Sequence, residues 1–377
     1  MASPRLLALF RSLAPVASIV LAGLVPALAQ EPPPAPGAAD ANPFGRKYPA
    51  RVYETRRLEG KAPEIDGRLD DEAWTQGAWA GDYTQQIPTE GAPPSQKTEL
   101  KILYDDRHLY FAVRAYDDPA RVHRYPGRRD AFTGDIVGVC FDSYNSKKTG
   151  FEFDLTAGGS KIDLILGNGE TEWDTTWDPV WDGKVAHDEH GWTAEFRVPL
   201  NQLRFGSQEE HVWGLHAWRW IDRNQEEVQW QLIPRQNTGR MYQLGELHGI
   251  RDLPRQRHLE LLPFAVGRAS TGPSVPDGGT DGSGAIGLDA KLGLTSNFTL
   301  DATVNPDFGQ VEADPSVVNL TAYETFYEEK RPFFLEGRKI LSFGVEDEDQ
   351  LFYSRRVGAP PSGVPFLGPD EEMASLP

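Results

Sequence analysis

The chain has 377 residues, enough for two domains, and a formal net charge of −18. Such a surface repels phosphate backbones and anionic bilayers, so nucleic acid is not an expected partner. A single cysteine, Cys140, rules out a disulfide framework within the chain.

In chain order, Met1–Gln30 comes first. It carries Arg5 and Arg11, an apolar run from Ala14 to Leu28, and small residues at Ala27 and Ala29. That pattern predicts a secretory signal over 1–29, cut after Ala29, and hence export to the periplasm or outer membrane. A membrane anchor is the alternative; Pro15 and Pro26 interrupt the short run and argue against it. The Pro/Ala/Gly-rich stretch over 30–51 reads as a linker.

Strand-like runs dominate 52–250. Thr98–Tyr104 alternates, with Leu100, Ile102 and Tyr104 on one face. The polar turn Asp105-Asp106-Arg107 then joins it to His108–Ala115 as a hairpin. Ile136–Phe141, Phe151–Leu155, Lys161–Leu166, Trp192–Pro199, Val212–Trp220 and Val228–Ile233 continue the pattern. Asp70–Trp74 offers one helical turn. Short strands separated by Gly, Asn and Asp predict an all-β fold, an antiparallel β-sandwich of jelly-roll or immunoglobulin-like type. All ten tryptophans lie between Trp74 and Trp230. Trp192 with Ala194, Phe196 and Val198, and Trp218 with Trp220, are expected in the core.

His258–Arg268, Gly287–Leu294 and Phe298–Val304 predict further strands, the last two joined at Thr295-Ser296-Asn297. They read as a few β-hairpin strands of an incomplete barrel-like domain over 255–343. The acidic, Pro/Gly-rich stretch 344–377 is expected to be a poorly ordered tail.

Three segments carry a family resemblance: Ala62–Trp74 (APEIDGRLDDEAW), Asp135–Asp142 (DIVGVCFD) and Gly191–Pro199 (GWTAEFRVP). Together they resemble the family 9 carbohydrate-binding module over about Val52–Ile250. Two more, Asn305–Asp314 (NPDFGQVEAD) and Glu329–Gly337 (EKRPFFLEG), resemble the domain of unknown function 5916. Its members carry such a module ahead of an outer-membrane barrel. The sequence stops soon after Arg356 and is expected to be a truncated member.

The first resemblance implies that two aromatic side chains sandwich a sugar. The matching positions offer Phe132, flanked by Arg129 and Asp130, and Tyr242, near Asn237 and Arg240. An alternative platform is the loop Trp173–Asp182, where Trp173, Trp177 and Trp181 are each followed by aspartate. Such a loop also has a bland reading, in which it folds back and buries its indoles. The family further implies structural calcium. Its candidate ligands are Asp142 and Asn145 in one turn, with Asp154 and Asp163 on nearby strands. Zinc at His187/His190 or His211/His216 lacks a supporting ligand pattern. No organic cofactor is implied.

The expected function is non-catalytic saccharide binding at a bacterial cell envelope, linked to polysaccharide uptake or breakdown. The C-terminal region is expected to associate with the outer membrane. One alternative is a glycoside hydrolase-associated enzyme acting on O-glycosyl bonds. Another is an outer-membrane transport barrel whose sandwich caps the lumen.

Overall fold

The computed structural model describes Ile19–Val20 and residues 45–167, 173–206, 208–236, 239–254, 259–271, 280–294, 299–305, 329, 331, 334 and 354–356. The chain divides into two compact units. One comprises Leu24–Glu260 and Lys291–Leu300; the other comprises Met1–Gly23, Leu261–Ala290 and Asp301–Pro377.

The first unit is built on β1 (Val52–Glu54), β2 (Arg56–Arg57), β3 (Thr84–Ile87), β4 (Thr98–Tyr104), β5 (His108–Tyr116), β6 (Ile136–Asp142) and β7 (Gly150–Thr156). These are followed by β8 (Lys161–Leu166), β9 (Trp173–Asp174), β10 (Asp182–Asp188), β11 (Gly191–Pro199), β12 (Glu210–Ile221), β13 (Glu226–Gln229) and β14 (Gly245–Arg251). The larger sheet runs β9-β8-β7-β6-β12-β13-β3, with β14 paired to β12 and β1 paired to β14. The smaller sheet runs β10-β11-β5-β4-β2. The pairings are antiparallel except β1 with β14 and β2 with β4, so the expected antiparallel sandwich holds apart from two parallel edges.

Period-two alternation builds the core between the sheets. Leu100, Ile102 and Tyr104 of β4, then Leu109, Phe111, Val113 and Ala115 of β5, point inward from the smaller sheet with Trp192, Ala194, Phe196 and Val198 of β11. They meet Val137, Val139 and Phe141 of β6, Phe153 and Leu155 of β7, and Trp213, Leu215 and Ala217 of β12. Phe111 stacks on Phe196 at 4.4 Å and meets Phe141 edge-on at 5.3 Å. Each fully buried side chain of this size contributes about 1.5–3 kcal/mol. The predicted β4–β5 hairpin is present in full, with Thr98 opposite Ala115 and Tyr104 opposite Leu109. Cys140 is a free thiol buried in β6.

A strap covers the outer face of the smaller sheet. Trp74 packs with Leu103, Tyr110 and Ala112, joined by Leu58, Ile65, Leu69 and Trp79. The expected helical turn is a 3-10 turn over Glu72–Thr75. It points the Trp74 indole at Glu195 of β11, to which Nε1–H donates at 2.6 Å. The amides of Gly67 and Asp66 donate to the other carboxylate oxygen at 2.7 and 3.0 Å. Gly67 is required there: its φ is +94°, and a Cβ would lie 2.4 Å from the Val185 carbonyl carbon.

The outcome for Trp218 and Trp220 differs from expectation. They do lie together, yet on the outer face of the larger sheet, half-buried beside Ile136, Cys140, Ile162 and Leu164. Trp213 takes the inner face instead. The edge strands β3 and β10, and β14 between β12 and β1, were not anticipated, because their largely polar sequences carry no regular apolar alternation to read.

In the second part of the chain, β15 (Leu259–Thr271), β16 (Thr280–Gly293) and β17 (Thr299–Val304) lie in sheet order β17-β16-β15, with Ile19–Val20 beside β17. The expected joint at Thr295–Asn297 lies outside the described residues. So do the rest of the expected signal segment and, apart from Ser354–Arg356, the acidic tail. One face of this sheet is polar at Asp289, which accepts from the Thr303 hydroxyl at 2.5 Å. Next to Asp289 on the strand, Ile286 and Leu288 point the opposite way; Ile286 is 78% exposed.

Candidate functional site

The outer face of the larger sheet gathers the chemistry-bearing side chains of the sandwich. Strand register fixes two lateral rows on it. Gly138 pairs with Asp154 on one side and Trp218 on the other. Cys140 pairs with Glu152 and His216 in the same way. Paired residues project to the same face. Glu152 and Asp154 alternate with Phe153 and Leu155, which belong to the core, so both carboxyls point outward.

Gly138 makes this arrangement possible. A Cβ there would lie 2.0 Å from Asp154 Oδ1 and 2.3 Å from Trp218 Nε1. The carboxyl and the indole therefore occupy the space that any other residue would fill. Trp218 Nε1–H donates to Glu152 at 3.0 Å.

Neither carboxylate emerges into solvent: Asp154 is 0% exposed and Glu152 3%. Both oxygens of Asp154 and Oε2 of Glu152 have no hydrogen-bond partner. Burial pushes the Asp154 carboxyl well above the usual carboxylate range, reinforced by Glu152. Burial likewise raises Glu152, opposed by Arg240 and by the Trp218 indole. Burial, then Arg240, holds His216 far below the ordinary imidazole value, so it is neutral at pH 7.

Aromatic side chains form the rim. Phe132 is 42% exposed and Trp173 49%. Their ring centroids lie 6.3 Å apart with planes tilted by 42°. The Arg240 guanidinium stands 5.9 Å from the Trp173 ring centroid. Arg240 thereby links the rim to the acidic floor, whose groups it influences electrostatically. Near the rim, burial and the neighbouring Asp163 push Asp130 up to about 6.

The expected binding residues divide on inspection. Phe132 and Trp173, drawn from two separate expectations, come together. Tyr242 is half-buried on the 3-10 turn Arg240–Gln243, where its amide donates to the Gly239 carbonyl at 3.0 Å. Asn237 lies outside the described residues. Arg129 is engaged elsewhere: it grips Asp163 at 2.9 and 3.0 Å and reaches Asp178 at 2.6 Å. Trp177 packs against Phe151 and Phe153 at 5.1 and 5.5 Å. Trp181 is 3% exposed, stacks on Phe196 at 5.7 Å and donates to Asp163 at 3.2 Å. Trp181 is thus a core residue and Trp177 a half-buried prop, which corrects their reading as platforms. The loop folds back because Phe153 and Phe196 present it with an apolar sheet end.

The four expected calcium ligands do not converge. Asp142 accepts from the amides of Ser146 and Lys147 at 3.1 and 2.7 Å, closing its own turn. Asn145 belongs to that turn, with φ 51°. Asp163 pairs with Phe153 and so faces the side of the sheet opposite Asp154, held there by Arg129. Among the described residues, no three His, Cys, Asp or Glu side chains form a metal-binding group. The residues present do not fit the implied ion.

Sequence reading missed the roles of Glu152, His216, Trp218 and Arg240 in this face. A signal was available in β12: Trp213 and Trp218 are of opposite parity, so one of them must leave the core.

The carbohydrate family 9 binding domain-like family matches residues 65–253, and the domain of unknown function (DUF5916) matches 255–377. A family 9 module from Caldicellulosiruptor kristjanssonii in complex with cellotriose aligns at 15% identity and TM-score 0.39, covering 55% of this chain and 100% of that one. A putative carbohydrate-binding protein from Bacteroides uniformis aligns at 10% identity and TM-score 0.42, covering 54% and 100%. A search of curated proteins finds no match.

Proposed function

This chain belongs to the carbohydrate family 9 binding domain-like family, and we propose that it binds a saccharide, without catalysis, on the outer face of its larger sheet. The observation that carries this reading is the meeting of exposed Phe132 and Trp173 with Arg240 above buried Glu152 and Asp154. A sugar ring needs an apolar surface for its C–H face and polar groups for its hydroxyls, and this face supplies both. Rings 6.3 Å apart are already in contact, so they leave no room for a sugar between them. The sugar lies across them as on a bent platform, unlike the sandwich implied by the resemblance.

The test is calorimetric titration of the protein with cello- and xylo-oligosaccharides. Trp173→Ala and Phe132→Ala should each weaken binding several-fold, and Trp79→Ala should not. Equal affinity in all four proteins rejects the site.

The second part of this reading is export to the cell envelope, with β15–β17 associating with the outer membrane. Exposed Ile286 and Leu288 support it, opposite the polar pair Asp289 and Thr303. Co-sedimentation with outer-membrane lipid vesicles tests this part, and loss of sedimentation in Ile286→Asp is the expected outcome.

A further inference from the structure

Several arginines of the sandwich are taken up by aspartates. Asp188 holds Arg114, Asp163 and Asp178 hold Arg129, Asp182 holds Arg197, and Asp117 holds Arg219 and Arg223. Arg240 departs from this pattern. Among the described residues it has no ion pair and no hydrogen bond, and what its guanidinium meets is the Trp173 ring, 5.9 Å from the centroid. Its Nε is buried without an acceptor, whereas the two Nη nitrogens, equally without one, are not buried. A guanidinium with open Nη groups therefore stands beside an indole that is 49% exposed.

The carboxyls beneath do not supply the missing partner. Glu152 Oε1 accepts from the Trp218 indole, and the other three oxygens of Glu152 and Asp154 have no donor, Arg240 included. Burial raises both carboxyls in spite of Arg240, so they meet their burial by holding protons rather than by pairing with the cation. They are closed to ligand, and they leave the charge of the guanidinium in place. His216 is neutral and does not bear on it.

A carboxylate is the group that such a guanidinium takes. Two oxygens match two parallel N–H donors, and these charge-assisted bonds are roughly twice as strong as neutral ones. A sugar hydroxyl offers a single acceptor and no charge. A guanidinium beside an aromatic ring keeps its in-plane donors free for a ligand that lies on the same ring. The chain as a whole, at a net charge of −18, disfavours anions, so a preference for one has to come from a local cation. Asp130 is the carboxyl near the rim that opposes it. Burial, then Asp163, raises Asp130 to about 6, and the opposition fades below that pH.

We propose that this site selects saccharides bearing a carboxylate, that is, uronic acid units, with the sugar ring laid on Phe132 and Trp173 and the carboxylate on the Nη groups of Arg240. This rests on the saccharide-binding reading above and names its ligand class.

The experiment titrates the full chain at about pH 5, where a uronic acid is ionised. Three disaccharides of one shape are compared: cellobiose, cellobiose with its non-reducing C6 oxidised to a carboxylate, and the methyl ester of that acid. The acid is expected to bind at least tenfold more tightly than cellobiose or the ester. Arg240→Gln should bring the acid and cellobiose to similar affinity, whatever the affinity for cellobiose becomes. Arg240→Lys keeps the charge at the rim, and should narrow the preference because it loses the paired donors. Cellobiose or the ester binding as tightly as the acid in the unaltered chain overturns the carboxylate preference and leaves saccharide binding intact. A preference undiminished in both Arg240 variants overturns it as well. Binding of none of the three sugars rejects both readings.

Discussion

Phe132 and Trp173 touch at 6.3 Å although forty residues of sequence and several strands separate them. One precedes β6 and the other opens β9, at the far edge of the same sheet. Their meeting turns two unrelated exposed aromatics into a single surface. Removing either ring should lower saccharide affinity by about three- to tenfold, the equivalent of the roughly 0.5–1.5 kcal/mol that an aromatic contact contributes. Thermal unfolding of both variants should match the parent protein.

Trp181→Ala should behave in the opposite way. Its indole is stacked on Phe196 inside the sandwich. Truncation leaves a cavity where the indole stood, at a cost of about 3–5 kcal/mol in chemical denaturation. Saccharide affinity measured in the remaining folded protein should change little.

The contrast between these two tryptophans marks how far the sequence could be read. Both lie in one loop with the same Trp-Asp pairing, and nothing local distinguishes them. The distinction comes from Phe153 and Phe196, which belong to other strands and capture Trp181. By contrast, the β4–β5 hairpin and the inward face of β11 were legible, because regular alternation encodes them directly. Glu152 and Asp154 sit in a strand whose alternation shows which face they take. Their burial was not legible, since it depends on Ile233, Met241 and Leu244 closing over that face from distant sequence.

Gly138→Ala tests whether the acidic floor is built around that glycine. The new methyl would fall on Asp154 Oδ1 and Trp218 Nε1. Overpacking of this kind costs about 1–3 kcal/mol. Both stability and saccharide affinity should fall, whereas Gly81→Ala, whose Cβ would meet ordinary contacts near 3.9 Å, should leave both unchanged.

Glu195 gives a pH signature. Burial raises its carboxyl to about 7, against the opposing hydrogen bonds from Trp74, Gly67 and Asp66. The fold therefore favours the protonated form relative to the unfolded chain. The associated stability is fully present below the unfolded value of 4.5 and is lost as pH rises toward 7, an amount on the order of 3 kcal/mol. Denaturation followed across that window should show the decline, and Glu195→Gln should flatten it.

Arg219 and Asp117 are both fully buried and meet at 2.6 Å, with Arg223 joining at 2.8 Å. Arg219→Met leaves a buried carboxylate half-compensated. Equilibrium unfolding should show a loss of about 3 kcal/mol, toward the lower end for breaking such a pair because Arg223 remains.

The most direct measurement is a residue-resolved one: the indole N–H signals followed by heteronuclear NMR during titration with a saccharide. Binding across the rim and over the acidic floor should shift Trp173 and Trp218 first and most, leaving Trp74 and Trp192 in place. Movement confined to Trp74 or Trp79 would put the sugar on the other sheet and contradict the account.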